Sequence, residues 1–202
     1  KVDMTNNSSI TSAAGTTGTV GIYANDNAGT GISSLILNTG SNIDLGASNN
    51  AVGVYANQIS NFTATGRVAV GSNGIGVYAN NSNITLSGLT IDLNGDNSLG
   101  YYIEGNSSSF SGTGTINING QNVTLFSINS NSSTVDFSGI TVGTVTPGSN
   151  YTLGSLVNGK MTYGSSALLA TNGTMLNGRN TNIYLNGSSD IKAEAGATGV
   201  VA

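Results

Sequence analysis

The chain has 202 residues and contains no cysteine, no histidine, no tryptophan and only one proline. Without Cys or His there is no disulfide scaffold, no zinc site of the usual ligand kind and no nucleophilic triad, so neither a metal nor a cofactor is expected. Charge is equally scarce: five Lys and Arg face nine Asp and Glu, for a net charge of −4. The bases Lys1, Arg67, Lys160, Arg179 and Lys192 are scattered, which offers no electrostatic footprint for nucleic acid or an anionic membrane. No apolar run approaches the roughly 20 residues that span a bilayer, and the opening Lys1-Val2-Asp3-Met4 lacks the apolar stretch of a secretion signal. Absence of Cys suits a chain that crosses an oxidising compartment unfolded, and the expected location is extracellular. Long Glu/Lys/Ala/Leu stretches are missing too, which argues against a helical bundle.

Small polar residues fill the space instead. Gly, Asn, Ser and Thr number 30, 29, 27 and 24, more than half of the chain. Ile, Val, Leu and Phe still make up 48 residues, enough apolar side chain at low net charge to exclude simple disorder.

Three phrases recur. Gly21-Ile22-Tyr23-Ala24-Asn25 returns as Gly53-Val54-Tyr55-Ala56-Asn57 and Gly76-Val77-Tyr78-Ala79-Asn80, with weaker copies at Gly100-Tyr101-Tyr102, Thr124-Leu125-Phe126 and Gly199-Val200-Val201-Ala202. A second phrase alternates apolar residues: Ile43-Asp44-Leu45, Val68-Ala69-Val70, Ile91-Asp92-Leu93, Ile116-Asn117-Ile118, Ile140-Thr141-Val142 and Ile191-Lys192-Ala193. The third comprises Leu35-Ile36-Leu37, Phe62-Thr63-Ala64, Ile84-Thr85-Leu86, Val135-Asp136-Phe137 and Ile183-Tyr184-Leu185. Successive units start about 25 residues apart.

Short period-2 segments with β-branched apolar residues indicate strands, and strands this short must stack to bury a face. Three per unit predict an all-β, right-handed parallel β-helix, a solenoid of about three short strands per coil and about eight coils. At about 4.8 Å per stacked strand, the rod is expected to be about 35–40 Å long. Ile43/Leu45, Ile91/Leu93 and Ile116/Ile118 are expected inside, with Asp44, Asp92 and Asn117 outside. In the tyrosine phrase the same alternation places Val52, Val54 and Ala56 inside, then Ile75, Val77 and Ala79, then Leu99, Tyr101 and Ile103. Gly and Asn suit the corners, and neutral outer residues avoid stacked like charges. Thr146-Pro147-Gly148-Ser149-Asn150 reads as a turn. The period weakens between about 144 and 182, where Asn172-Gly173 and Asn177-Gly178 suggest turns in a longer excursion around Thr171–Asn182. Residues 1–202 read as one β-helical segment with no second domain. Both ends look cut in mid-pattern, as in a piece of a longer rod or one that stacks end to end with another copy.

The Gly-[Ile/Val]-Tyr-Ala-Asn phrase, set in a Cys-free repeat rich in Asn, Gly, Ser and Thr, resembles the passenger domains of autotransporters (type V secretion). The likeness extends to the very large fusobacterial outer-membrane autotransporter adhesins, which repeat phrases like Asn73-Gly74-Ile75-Gly76-Val77-Tyr78-Ala79-Asn80, and it covers most of the chain. The resemblance implies display on the bacterial outer-membrane surface through a C-terminal barrel that is absent from this sequence. It also implies adhesion to a protein or glycan on host cells or other bacteria; separately, with no His to act as a base, no enzymatic activity is expected.

Two surface features carry functional expectations. If Val54 and Val77 face inward, then Tyr23, Tyr55, Tyr78, Tyr102 and Phe126 face outward on neighbouring coils. Such a stripe is either a binding platform or a brace for the ladder, in which the rings stack on one another. A register slip would instead turn the tyrosines inward. The alternative function is a carbohydrate-active β-helix enzyme, which would need paired carboxylates. Asp92/Asp96 and Asp190/Glu194 are the nearest pairs in sequence, with Glu104 a further candidate, and neither Arg67 nor Arg179 is expected near these acids. An ice-ordering surface would need Thr rows in register, and Thr63/Thr65, Thr113/Thr115 and Thr144/Thr146 occupy different places in the repeat.

Overall fold

The computed structural model describes the backbone of residues 1–26, 33–129 and 134–157 and of the strands beyond. It describes the side chains of those segments as far as Ser155, together with Arg179. Among the described residues there is no helix, and every strand pairing is parallel. The chain winds through three faces per turn and returns to each in register, which makes it a parallel β-solenoid.

The first face stacks Val2–Met4, Ser34–Leu37, the first parts of Asn61–Val70, Asn83–Leu93 and Ser109–Ile118, then Thr134–Asp136, Lys160–Tyr163 and Asn182–Leu185. The second face stacks Ser9–Thr11, Asn42–Leu45, the later parts of those same three long strands, and Gly139–Val145. The third, here called the tyrosine face, has eight strands, running from Val20–Asn25 through Val52–Asn57, Ile75–Asn80, Leu99–Glu104, Val123–Asn129, Tyr151–Val157 and Thr174–Arg179 to Thr198–Val201.

Inside, like residues stack. Ile43, Val68, Ile91, Ile116 and Val142 form one column and Leu45, Val70, Leu93 and Ile118 another, while Val145, in register with Ile118, is exposed. The first face contributes Leu35, Phe62, Ile84, Phe110 and Val135, and the backbone register continues through Met161 to Ile183. Most of the apolar side chains in the middle coils are fully buried, and at about 25 cal/mol per Å² this burial drives the winding.

Each coil turns three corners, and in the middle coils a residue with positive φ marks each of them. Gly66, Gly88 and Gly112 (φ 104°, 94° and 107°) lie where the long strands pass from the first face to the second. Asn50, Asn73, Asn97 and Asn122 (φ 53–56°) precede the tyrosine strands, and Gln58, Asn81 and Gly105 (φ 58°, 46° and 92°) follow them. Asn tolerates this region better than other side chains because its amide bonds locally. The corners also ladder: Asn50, Asn73 and Asn97 donate their N–H groups to the carbonyls of Ser72, Asp96 and Gln121 on the next coil. Buried serines satisfy the interior of the last corner, where Ser82 Oγ accepts from Ile59 N and donates to Ala56 O and Ser108 Oγ donates to Glu104 O.

Four expectations need correction. The solenoid has about five turns, not eight, because only over that length are all three faces laddered together. The second face ends at Gly139–Val145, and Leu168–Ala170 pairs with Ile191–Ala193 as a separate two-stranded sheet. The break follows the turn at Pro147, where Ser149 N–H returns to Thr146 O (3.0 Å) and Gly148 takes φ 89°.

Val52, Ile75 and Leu99 are half-exposed rather than inside. The glycine after each takes the inward place: a Cβ on Gly53 would lie 2.3 Å from Val68 Cγ1 and 2.6 Å from Gly76 O. Gly and Val thus face inward in succession, and the strand bends there. Val142, not Ile140, pairs with Ile116, Ile140 standing opposite Gly114, and a bulge follows that brings Val145 to Ile118. Asn177-Gly178 lies within the strand Thr174–Arg179, paired with Ser155 and Leu156; Asn172 and Gly173 lie outside the described residues.

Candidate functional site: an external tyrosine ladder

On the tyrosine face, register places Tyr23, Tyr55, Tyr78 and Tyr102 directly above one another. Successive ring centroids are 4.8, 4.7 and 5.1 Å apart, with interplanar angles of 7°, 11° and 19°. The spacing is that of the strands themselves, so parallel pairing alone produces an aromatic stack. Tyr23 is 61% exposed and the other three are partly buried.

Phe126 does not belong to this row. It pairs with Tyr101 and is buried, while Ser127 continues the row after Tyr102. Both Leu125 and Phe126 are apolar, and aligning Thr124 with Gly100 shifts the reading by one place; pairing Thr124 with Leu99 restores it. Inside, Phe126 stacks on Phe137 at 4.6 Å, within a cluster that includes Tyr101 and Phe110. A small apolar gap beside Phe126 and Phe137, bounded also by Ile140 and Leu153, has no polar side chain in its lining.

The stack changes what the row presents. Tyr55 and Tyr78 have a ring on each side, so ring edges and hydroxyls, rather than open ring faces, meet the solvent. Three positions earlier in the same strands runs a half-exposed aliphatic row, Val20, Val52, Ile75 and Leu99, which Thr124 and Thr152 continue.

Beside the phenols lies a polar column. Asn25, Asn57, Asn80, Glu104 and Asn129 share one register position, and Asn57 Nδ2 donates to Asn25 Oδ1 at 2.8 Å. Glu104 breaks the run of amides and accepts a hydrogen bond from Tyr78 Oη. Partial burial, reinforced by Glu104 and the neighbouring phenols, raises the pKa of Tyr78 above the ordinary phenol value. Tyr55 and Tyr102 are raised in the same direction, chiefly by burial. The signal for the Tyr78–Glu104 contact is present in the sequence, since Glu104 lies two places after Tyr102 in the repeat and so on the same side.

The candidate carboxylates are dispersed. Asp92 is on the second face, where Arg67 Nε and Asn117 Nδ2 donate to it, and Arg67 Nη1 also donates to Asp44 Oδ2 at 3.2 Å. Arg67 therefore does lie near Asp92, contrary to expectation. It pairs with Thr90, and its long side chain reaches diagonally over Ala69 to the acids above and below. Asp96, at the Asn corner, accepts from Gln121 N at 2.8 Å, and Glu104 belongs to the tyrosine face. Asp190 and Glu194 lie outside the described residues. Among the described residues no group of three acidic side chains is placed to hold a metal.

Fold and surface together define a parallel β-solenoid with an external tyrosine ladder. Comparison with family models, curated proteins and solved structures finds no match to the chain.

Proposed function

We propose that the chain is a rod segment of a cell-surface adhesin, a right-handed β-helix of the autotransporter passenger kind, displayed outside the cell. It acts by reach and by many weak contacts, without covalent chemistry of its own. The handedness follows the rule for parallel β-crossovers, nearly all of which are right-handed.

The observation that carries the reading is the ordered outer surface of the tyrosine face. There the column Tyr23, Tyr55, Tyr78 and Tyr102 runs beside the half-exposed row Val20, Val52, Ile75 and Leu99. Tyrosine gives a large contact area at low entropic cost. With ring faces covered by other rings, this surface favours a protein on the host or bacterial surface over stacking against sugar rings.

The test is binding of the purified chain to epithelial cells and to other bacteria, before and after enzymatic removal of surface glycans or proteins. Replacement of Tyr55 and Tyr78 by Ser is expected to weaken binding while the β-sheet circular dichroism persists. Protease treatment of the cells is expected to remove binding. Binding unchanged by the double substitution would reduce the ladder to scaffolding, and loss only on glycan removal would assign a sugar ligand.

A further inference from the structure

We propose that the tyrosine ladder is a site of oxidative modification, at which one-electron oxidation joins Tyr55 to Tyr78 through a carbon–carbon bond and staples two consecutive coils. This inference does not depend on adhesion.

The geometry is that of two phenols already in place to couple. Tyr55 and Tyr78 have the shortest ring separation of the ladder, 4.7 Å, at 11° from parallel. Their strands are parallel and in register from Val52 with Ile75 to Asn57 with Asn80, so both side chains leave the backbone in the same direction. The ring edges that flank the hydroxyls are thereby brought together, and those ortho carbons carry much of the unpaired electron of a phenoxyl radical.

Oxidation of a phenol at neutral pH requires its proton to leave with the electron. Tyr78 Oη donates to Glu104 Oε1, so a carboxylate already in contact accepts that proton. Tyr23, 61% exposed at one end of the stack, is open to an oxidant and in ring contact with Tyr55. Tyr101, next in sequence to Tyr102, is instead sealed in the core, edge-on to Phe110.

The chemistry balances with hydrogen peroxide acting through a peroxidase. Each phenol loses one electron and one proton to give a phenoxyl radical, and two radicals form one bond between ortho carbons. The hydrogen on each ortho carbon then moves to its ring oxygen, restoring both phenols. Two tyrosines thus lose two electrons and two protons, and peroxide takes them up to leave two waters. The product closes the chain between positions 55 and 78 into a covalent loop, which restricts the unfolded state as any cross-link does.

The experiment treats the purified chain with peroxidase and hydrogen peroxide and isolates the monomer. Expected are dityrosine fluorescence in the monomer, an intact mass lower by two hydrogen atoms, and a linked peptide containing Tyr55 and Tyr78. The oxidised monomer should also melt at a higher temperature. Tyr78→Phe keeps the ring and the stack but removes the reacting phenol, and should abolish this product; Glu104→Gln should slow its formation. Dityrosine confined to covalent dimers, a linked peptide from another pair, or an unchanged yield in Tyr78→Phe would each overturn the proposal. If Tyr78→Phe does not fold, the peptide map of the unsubstituted chain decides alone.

Discussion

Tyr101 places a phenol where the neighbouring coils have Val77 and Phe126, and its hydroxyl is fully buried without a hydrogen-bond partner. A buried donor left unmade costs about 1–3 kcal/mol, whereas the ring itself packs against Phe110 and Phe137. Tyr101→Phe is therefore expected to stabilise the fold by about 1 kcal/mol at neutral pH, read as a higher urea midpoint at constant slope. Burial also raises this phenol's pKa far above its ordinary value. The folded chain then holds its proton while the unfolded chain releases it, so stability is intact below the ordinary phenol pKa of about 10 and falls as pH rises past it. Melting temperatures from about pH 8 to about pH 11 should show that decline, and Tyr101→Phe should make it shallower. Asn73 illustrates the corner residues: its φ of 53° strains most L-residues. Asn73→Ala should cost about 1 kcal/mol and Asn73→Gly close to none, as measured by chemical denaturation.

At the scale of the element, each outer row is decided by what stacks on it. Asp44 and Asp92 flank the neutral Ala69, and Arg67 spans both acids. Asp92 is 8% exposed, so loss of its cation leaves a carboxylate covered and under-compensated. Breaking a fully buried pair costs about 3–5 kcal/mol and an exposed one less than about 1. Arg67 is itself partly exposed, so Arg67→Ala should cost about 1–2 kcal/mol. Adding Asp92→Asn to it should recover part of that loss in a double-mutant cycle; additive losses would show that the ion pair carries no coupling. The inward glycines obey the same stacking logic. Gly21, Gly53 and Gly76 each lie against the carbonyl of the next glycine in the row, at 2.6–2.8 Å from where a Cβ would be. That approach explains the glycine that opens the phrase at positions 21, 53 and 76.

Across the molecule, coils touch mainly the coils next to them, so stability is close to a sum of repeats and their interfaces. Asn57 pairs with Asn80, and deletion of residues 58–80 therefore joins equivalent points of consecutive coils. The shortened chain is expected to keep its β-sheet circular dichroism and a cooperative, somewhat lower melting transition. Collapse to an unfolded spectrum would mean that the turns are not interchangeable.

Alternation and period were enough to read a parallel solenoid from this chain, because a strand of three or four residues has no way to bury its face except against its own repeat. Columns such as Ile43, Val68, Ile91 and Ile116 and the αL corners at Asn73 and Asn97 follow from that. Where a strand bends, alternation loses its authority: one residue more or less reverses every side chain beyond it. Only the folded chain shows that Gly53 turns inward in place of Val52, and that Phe126 rather than Ser127 enters the core. The Arg67 bridge and the Tyr78–Glu104 contact depend on side-chain reach between coils. A linear pattern specifies which residues recur, while the spacing between stacked strands decides which of them meet.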